Sequence, residues 1–260
     1  MPAAAAATLS RLRAAVAKIE GSELSALETG GGILPLGAKA IDAALGGGLA
    51  LGSLHELAPA TSSHFGAAAG FVLALAARAG MRKHTLWIQP DFAGTEAGGL
   101  YGPGLTALGL PMERLILLRV ARPADVLWAM EEGLKSRVVS AAIAELTGNG
   151  ACADLTATRR LVLAARDGGG LGLLLRHRFS PEPSAAATRW DIAAAPSASD
   201  AFGGLGRTAF ILSLLKNRRG PLGRWIIEWD HHARVFAPLS VAVAEAALDR
   251  PDRAPLICAG

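Results

Sequence analysis

The 260-residue sequence predicts an α/β fold, with a mostly parallel central sheet, helices on both of its faces and an antiparallel hairpin near the C-terminal end. Apolar runs alternate with segments of helical period from residue 53 to residue 175, which is typical of repeated β-α units. The apolar runs are continuous rather than alternating, as parallel strands covered on both faces require. Two later runs, at 208–216 and 223–229, flank an Arg-Arg-Gly-Pro turn and predict the hairpin.

Five strands and four helices are predicted for the parallel part of the sheet. The strands span residues 53–57, 85–89, 115–120, 138–146 and 171–175, and the helices span 41–45, 67–79, 124–136 and 155–167. Glycine clusters at 46–48 and 168–170 end the first and last helices, because glycine adopts the left-handed C-cap conformation without strain. Residues 180–206, rich in Pro, Ser and Gly, predict a loop or hairpin region.

Three segments make up the predicted domain organisation. Residues 1–32 form an N-terminal helix and linker, 33–240 form the α/β domain, and 241–260 form a mobile C-terminal tail. The first helix is indicated by apolar residues at helical spacing, namely Leu9, Leu12, Val16 and Ile19. It packs either on its own domain or on a neighbouring subunit, and its sequence favours neither alternative.

Composition restricts the classes of function. Hydrophobic residues make up 51% of the chain and charged residues only 18%, which excludes a disordered protein. The net charge of 26 − 22 = +4 suits contact with nucleic acid or another acidic partner, and equally suits an arginine-rich composition without such contact. Cys152 and Cys258 are far apart and form no zinc or disulfide motif, so a reducing cytoplasm is expected. We expect no transmembrane helix, no metal and no cofactor.

The most informative segment is 33–66, because it leads into an altered nucleotide loop. Its pattern LPLG-x-x-x-IDAALGGGL-x-x-G-x-x-HEL-x-P resembles the approach to the nucleotide loop of RecA-type recombinases. A working loop continues as G-x-x-x-x-G-K-[ST], whose glycines and helix N-terminus present backbone N–H groups to phosphate. The residues at the key positions of this loop, together with the proline that follows the first of them, are Ala58, Pro59, Ser63, His64 and Phe65.

These replacements argue against ATP hydrolysis. His64 is shorter than lysine and mostly neutral at pH 7, and Phe65 cannot bind Mg²⁺. Losing the lysine and the hydroxyl together removes much of the charge stabilisation that phosphoryl transfer needs. Weak binding of phosphate at the following helix N-terminus stays open. The alternative that we prefer is that Thr61, Ser62 and Ser63 simply cap the predicted helix.

The resemblance to RecA-type recombinases implies roles for further positions. Asp91 matches the acid that polarises the attacking water, and Glu145 matches the acid near the Mg²⁺ shell, so both are candidate vestigial acids. Arg176 and His177 stand where those proteins carry a glutamine that senses the γ-phosphate. The alternatives are ordinary surface carboxylates at strand ends and a solvated basic loop.

A basic segment after the penultimate predicted strand is the third matching feature. Lys216-Asn217-Arg218 is similar to a K-N-K segment that, in RecA-type filaments, reaches the ATP held by the next subunit. Lys216, Arg218 and Arg219 are therefore candidate partner-facing cations. The alternative is an ordinary basic turn.

The lead-in, the altered loop and the K-N-R-R-G-P segment together are similar to those of the ImuA family. The likeness covers residues 9–240 and is diffuse outside 33–59 and 210–229. That resemblance implies a RecA-like fold and a non-catalytic adapter of the SOS response. Its implied partners are an ImuB-type, Y-family-like protein without polymerase activity and RecA, with an error-prone C-family DNA polymerase reached indirectly. Together these proteins permit synthesis across damaged templates.

Two other functions compete with the adapter. One is a DNA-dependent ATPase with an unorthodox loop, and the other is a SulA-like inhibitor of cell division. SulA-type chains are shorter and lack the lead-in, so length and lead-in favour the ImuA family. DNA binding, where present, is expected to be weak and electrostatic, because no aromatic stacking platform accompanies the arginine pairs.

Overall fold

The computed structural model describes residues 32–80, 83–93, 98–147, 153–179, 182–197 and 206–239. The predicted N-terminal helix, the tail at 241–260 and both cysteines lie outside these residues. The division of the chain at residues 32 and 240 therefore stays a prediction. In the part of the chain that the structure describes, none of the helices is long and apolar enough to cross a membrane.

The elements follow the predicted alternation of strand and helix. The strands are β1 Ile33–Leu34, β2 Leu49–Ala50, β3 Ser53–Pro59, β4 His84–Pro90, β5 Leu115–Val120, β6 Val139–Leu146, β7 Leu171–Arg176, β8 Thr188–Ala195, β9 Ala209–Asn217, β10 Gly223–Asp230 and β11 Val235–Pro238. The helices are α1 Lys39–Ala44, α2 Phe65–Ala79, α3 Gly102–Ala107, α4 Pro123–Lys135 and α5 Leu155–Gly168. Short 3-10 turns at Ser62–His64 and Met112–Arg114 precede α2 and β5.

Nine strands form the main sheet in the order β11-β10-β9-β8-β3-β7-β6-β4-β5. Strands β3 to β8 pair in parallel where they are neighbours, and β8 to β11 pair antiparallel. The predicted hairpin is β9–β10. Of the loop and the hairpin predicted across 180–206, the loop is wrong for Thr188–Ala195, because this segment is a full strand that pairs antiparallel with β9. Its alternating burial places Trp190 and Ile192 in the core.

Two hydrophobic cores lie on opposite faces of the sheet. On one face, α1, α2 and α3 pack over the sheet around Phe71. On the other face, α4 and α5 pack around Leu134 and Leu161. Helix α5 begins where the Asp154 carboxylate accepts from the N–H of Ala157 at 2.7 Å, and it ends at Gly169 with a left-handed φ of 73°.

The lead-in motif has a structural role in this core. The carboxylate of Asp42 accepts from the backbone N–H groups of Leu36 at 2.7 Å and Gly37 at 3.0 Å, which closes the turn before α1. Gly37 has a φ of 100°, and a Cβ there would lie 2.9 Å from the Cβ of Val235. The backbone N–H of Phe236 donates to Leu36. The motif therefore ties α1 to the last strand, β11.

The expectation that every strand is covered on both faces is wrong for β5. This strand is the edge of the sheet, and Ile116, Leu117 and Leu118 are 45%, 40% and 38% exposed. Helices cover the inner strands, and an edge strand has a neighbour on one side alone. A continuous apolar run therefore marks this strand correctly but does not report its burial.

We predict that Gly168→Ala destabilises the fold by about 1–3 kcal/mol, because a Cβ at Gly168 would overlap the backbone carbonyl of Leu134 where α4 meets α5. The matched control is Gly66→Ala, since no atom lies within 4 Å of a Cβ there. Alanine also has the higher helix propensity, so the control should be neutral or slightly stabilising. Urea unfolding of both variants measures the difference. Equal midpoints would contradict close packing of the two helices.

Candidate functional site

The candidate nucleotide loop begins as a continuation of the central strand. Ala58 and Pro59 remain in β3 and align with Asp191 and Ile192 of β8. The N–H of Ala60 then donates to the carbonyl of Ile192 at 2.8 Å. The chain is thus still part of the sheet where a phosphate loop would turn around its ligand.

Two further backbone N–H groups of the loop also donate within the chain. His64 donates to Thr61 at 2.9 Å and Phe65 donates to Ser62, while Pro59 has no N–H. A phosphate loop needs such groups free and directed at the anion. The loop therefore does not fit a nucleotide phosphate in the way its sequence position suggests.

His64 serves the sheet instead of a phosphate. Its Nδ1 accepts from the N–H of Ala194 at 3.3 Å, beyond the point where β8 leaves β3. The expectation that Thr61, Ser62 and Ser63 cap α2 is wrong, because His64 holds the N-cap position and no side chain bonds there. Instead, the hydroxyls of Thr61 and Ser63 bond each other at 2.8 Å over a 3-10 turn.

Phe65, His177 and Glu145 come together at the start of α2. The rings of Phe65 and His177 have centroids 4.2 Å apart, and His177 Nε2 lies 3.2 Å from Glu145 Oε1. Glu145 is buried. An aromatic ring and a histidine thus occupy the position where the resemblance implies a Mg²⁺ shell. These residues do not fit a Mg²⁺–nucleotide complex, and no group of three potential metal-binding residues occurs within the described ranges.

Asp91 lies apart from this cluster. It follows β4 in an exposed turn, and its N–H donates to Val120 at 2.9 Å. A cavity of about 550 Å³ beside α2 is lined by Phe65, Glu145 and Gln89 but not by Asp91. Of the two candidate acids, the structure therefore brings one to the start of α2. Gln89 was missed, although it stands two residues after Trp87 on the same face of its strand.

A buried ion cluster lies under the central strands, and sequence reasoning missed it. Arg176 Nη2 is 2.8 Å from Glu56 Oε1, and Arg189 Nη2 is 2.7 Å from Glu56 Oε2. Arg176 also donates to the carbonyl of Ala153 at 3.0 Å. The alternative of a solvated basic loop is wrong for Arg176, which is buried in β7. The sequence feature that could have identified the cluster is Glu56, an acid within the apolar run of β3.

The two arginines keep Glu56 ionised. Burial by itself would raise the pKa of Glu56, but the charges and hydrogen bonds of Arg176 and Arg189 outweigh burial and hold the pKa below its ordinary value. The carboxylate joins β3 to both of its neighbours, β7 and β8.

His55 forms a second network on the opposite face of β3. Its Nε2 lies 3.0 Å from the carbonyl of Ala50, which can only accept, so Nε2 carries the proton. Its Nδ1 accepts from the Thr188 hydroxyl at 2.8 Å, and that hydroxyl accepts from the Trp190 indole at 2.7 Å. Burial lowers the pKa of His55 to about 4, so the ring is neutral at pH 7.

The three candidate cations lie away from the loop. Lys216 is level with the middle of β3, and Arg218 and Arg219 lie in the turn that follows, toward the start of β3. Lys216 aligns with Arg189, which aligns with Glu56, so the chain passes toward the start of β3 after Lys216. Lys216 Nζ donates to the carbonyl of Ser184 at 2.6 Å and is half-buried. Burial first, and then the charges of Arg218 and Arg189, lower the pKa of Lys216 to about 8.

The turn after Lys216 is fixed by Asn217. Its side-chain amide donates to the carbonyls of Ala44 at 2.9 Å and Pro221 at 3.0 Å, and its oxygen accepts from the N–H of Arg219 at 3.0 Å. Arg219 is half-buried in this turn, whereas Arg218 is exposed. Of the three candidates, Arg218 has the most accessible side chain.

The mostly parallel central sheet, with helices on both faces and antiparallel strands β8 to β11, defines a RecA-like fold. The chain is similar to the crystal structure of the RadB recombinase, with a TM-score of 0.54 and 17% sequence identity over 80% of this chain and 100% of that chain. At this identity the likeness shows the fold alone. No protein-family model matches the sequence.

The sequence relatives narrow this class to one family. Two curated proteins of Caulobacter vibrioides, each named Protein ImuA, come from strain NA1000 / CB15N and strain ATCC 19089 / CIP 103742 / CB 15. Each is 35% identical over 239 residues, covering 82% of this chain and 94% of the relative. The chain belongs to the ImuA family.

We predict that Glu56→Gln destabilises the protein by about 3–5 kcal/mol, because it leaves two arginines around a neutral group in the interior. The matched control is Glu228→Gln, whose partner Arg207 is largely exposed, and it should cost about 1 kcal/mol or less. Chemical unfolding of both variants at pH 7 provides the measurement. A similar loss in both would show that the buried cluster contributes little.

We also predict that stability falls on acidification between pH 6.5 and pH 4. The unfolded His55 takes up a proton near 6.5, while the folded ring resists protonation until about 4, so the unfolded state binds more protons in this window. The expected loss is about 3 kcal/mol. His55→Gln should flatten this slope, and His84→Gln, at an exposed position, should not. Unfolding free energies across the pH range test this; an unchanged slope in His55→Gln would contradict it.

Proposed function

We propose that this chain is a non-catalytic RecA-like adapter of SOS mutagenesis and translesion synthesis. Membership of the ImuA family supports a role in DNA-damage-induced mutagenesis. The observation that carries the non-catalytic part is the engagement of the loop amides: Ala60, His64 and Phe65 all donate within the chain. The contact of Phe65 with His177 supports the same conclusion, because it fills the start of α2 with an aromatic pair.

The proposed partners follow from the family. They are an ImuB-type protein and RecA, with an error-prone C-family DNA polymerase reached through the ImuB-type protein. DNA itself makes at most a weak electrostatic contact, and the proposed setting is the cytoplasm. The adapter thus works by holding proteins together rather than by turnover.

The geometry supports a specific relation to RecA. The altered loop lies at the end of β3, whereas Arg218 lies near its beginning, where its N–H donates to Ala187. A RecA-type ATP site is formed by the loop of one subunit and the basic segment of the next. One chain therefore presents its loop and its basic segment at opposite ends of its sheet. A subunit with exposed Arg218 but no working loop would join the end of a RecA filament and offer no nucleotide site for the next subunit. Lys216, bonded to Ser184, contributes less to such a contact.

We predict no steady-state ATP hydrolysis by the purified chain, with or without single-stranded DNA. The physical reason is that the N–H groups of Ala60, His64 and Phe65 donate within the chain, and that His64 and Phe65 supply neither a lysine nor a metal-binding hydroxyl at the start of α2. A coupled phosphate-release assay measures turnover, with Glu145→Gln as the matched control. Turnover that disappears in Glu145→Gln would replace the adapter by the DNA-dependent ATPase.

Co-purification then separates the adapter from the division inhibitor. The chain should retain an ImuB-type protein and RecA, and Arg218→Ala should weaken RecA retention, whereas Arg224→Ala, an exposed arginine on β10, should not. Retention of the tubulin-like division protein instead would support the SulA-like function. Equal RecA retention by both variants would refute the filament-end geometry while leaving the ImuB contact standing.

A further inference from the structure

A cleft of about 340 Å³ opens beside the first residues of β3, far from the altered loop. Helix α5 supplies one wall through Arg159, Val162, Leu163 and Arg166. These positions follow the i, i+3, i+4, i+7 spacing, so they lie on one side of the helix. The other wall is formed by Gly52, Ser53, Leu54, Ala185, Ala187 and Arg218.

Three arginines of this cleft have no carboxylate partner among the described residues. Arg159, Arg166 and Arg218 take part in none of the ion pairs found there. The neighbouring Arg160, by contrast, pairs with Glu131 at 2.5 Å on the side facing α4. The cleft therefore collects positive charge that the described fold does not neutralise.

The wall of the cleft between Arg159 and Arg166 is apolar. Leu163 is 58% exposed, and Val162 is half-buried beside it. A single exposed leucine is ordinary on a protein surface. Leu163 differs from such an isolated leucine, because it lies in a concave site between two arginines on the same face of α5. An occupant that satisfies both features carries an apolar group flanked by negative charges.

The positive field of the cleft reaches into the sheet. After burial, the largest cause, the charge of Arg218 contributes to lowering the pKa of Lys216. Asp167 follows Arg166 in the chain, but it is not among the cleft-lining residues. None of the described residues that line the cleft is acidic.

We infer that this cleft binds an acidic peptide segment of a partner protein, with an aliphatic side chain seated on Leu163 and carboxylates paired with Arg159, Arg166 and Arg218. The inference rests on the proposed adapter function and adds to it the chemistry of one docking site. Guanidinium groups pair with carboxylates in bidentate geometry. Three of them therefore select a negatively charged segment and also fix its position along the cleft.

A protein segment fits the cleft better than a nucleic acid does. Single-stranded nucleic acid is held by aromatic side chains that stack on bases, and none of the described residues that line this cleft is aromatic. A phosphate chain would also leave Val162 and Leu163 facing charge. The aliphatic side chains of Val162 and Leu163, flanked by arginines, match an acidic peptide that also carries apolar side chains.

The test is fluorescence anisotropy with the full chain and a labelled probe peptide in which two leucines stand among glutamates. Arg159→Glu together with Arg166→Glu should weaken binding about tenfold or more, because two attractive pairs become repulsive. Arg137→Glu, an exposed arginine outside the cleft, is the matched charge control and should change affinity by about twofold or less. All three arginines are exposed, so the variants keep the fold, which thermal unfolding verifies.

Two further arms distinguish the occupants. A probe with serine in place of both leucines should bind more weakly, and Leu163→Ser should weaken the leucine probe. Equal binding of both probes, or equal loss in Arg137→Glu, would overturn the inference in favour of diffuse charge attraction. So would tighter binding of an oligothymidylate that displaces the peptide, or a change of oligomeric state in the double variant, which would assign the cleft to nucleic acid or to a second copy.

Peptide binding to the cleft and the non-catalytic adapter function are tested independently. The binding assay contains no nucleotide, and the double variant leaves Glu145, Phe65 and Arg218 intact. Peptide binding together with ATP turnover would reject the non-catalytic function alone. Absence of both would reject the cleft alone.

Discussion

The fold depends on one buried carboxylate. Glu56 lies in the central strand and is held between Arg176 of β7 and Arg189 of β8. A carboxylate in the interior is costly unless cations and hydrogen bonds compensate its lost hydration. Both compensating partners come from distant parts of the chain, 120 and 133 residues away. The cluster therefore stabilises the neighbours that β3 has in this sheet and disfavours other strand orders, which would leave the charges unpaired.

The same strand order explains the hydrogen bonds that hold the candidate loop against β8. Because β8 lies beside β3 in parallel, Ala60 can extend the pairing past Pro59 by bonding Ile192. His64 continues this edge by accepting from Ala194. Ala60 and His64 thus hold the segment between β3 and α2 against β8.

Much of the fold was predictable, and less of the site. Continuous apolar runs located β3, β4, β5, β6 and β7, and glycine clusters located the ends of α1 and α5. Periodicity failed for Thr188–Ala195, because flanking Pro, Ser and Ala residues obscured its alternation. Glu145 and Phe65 were named as candidate positions from the sequence, but their contacts with His177 were not foreseen. Contacts between separate strands depend on register, which the local pattern does not report.

The sequence by itself determined the α/β class and the order of elements along the chain. These are properties of residue type and local spacing. Only the tertiary structure decided that Arg176 is buried on Glu56, that Lys216 bonds Ser184, and that Arg218 meets Arg159 and Arg166 across one cleft. The reason is physical: charge pairing and cleft formation need groups from distant segments within a few ångströms, and packing of the sheet and α5 brings them there.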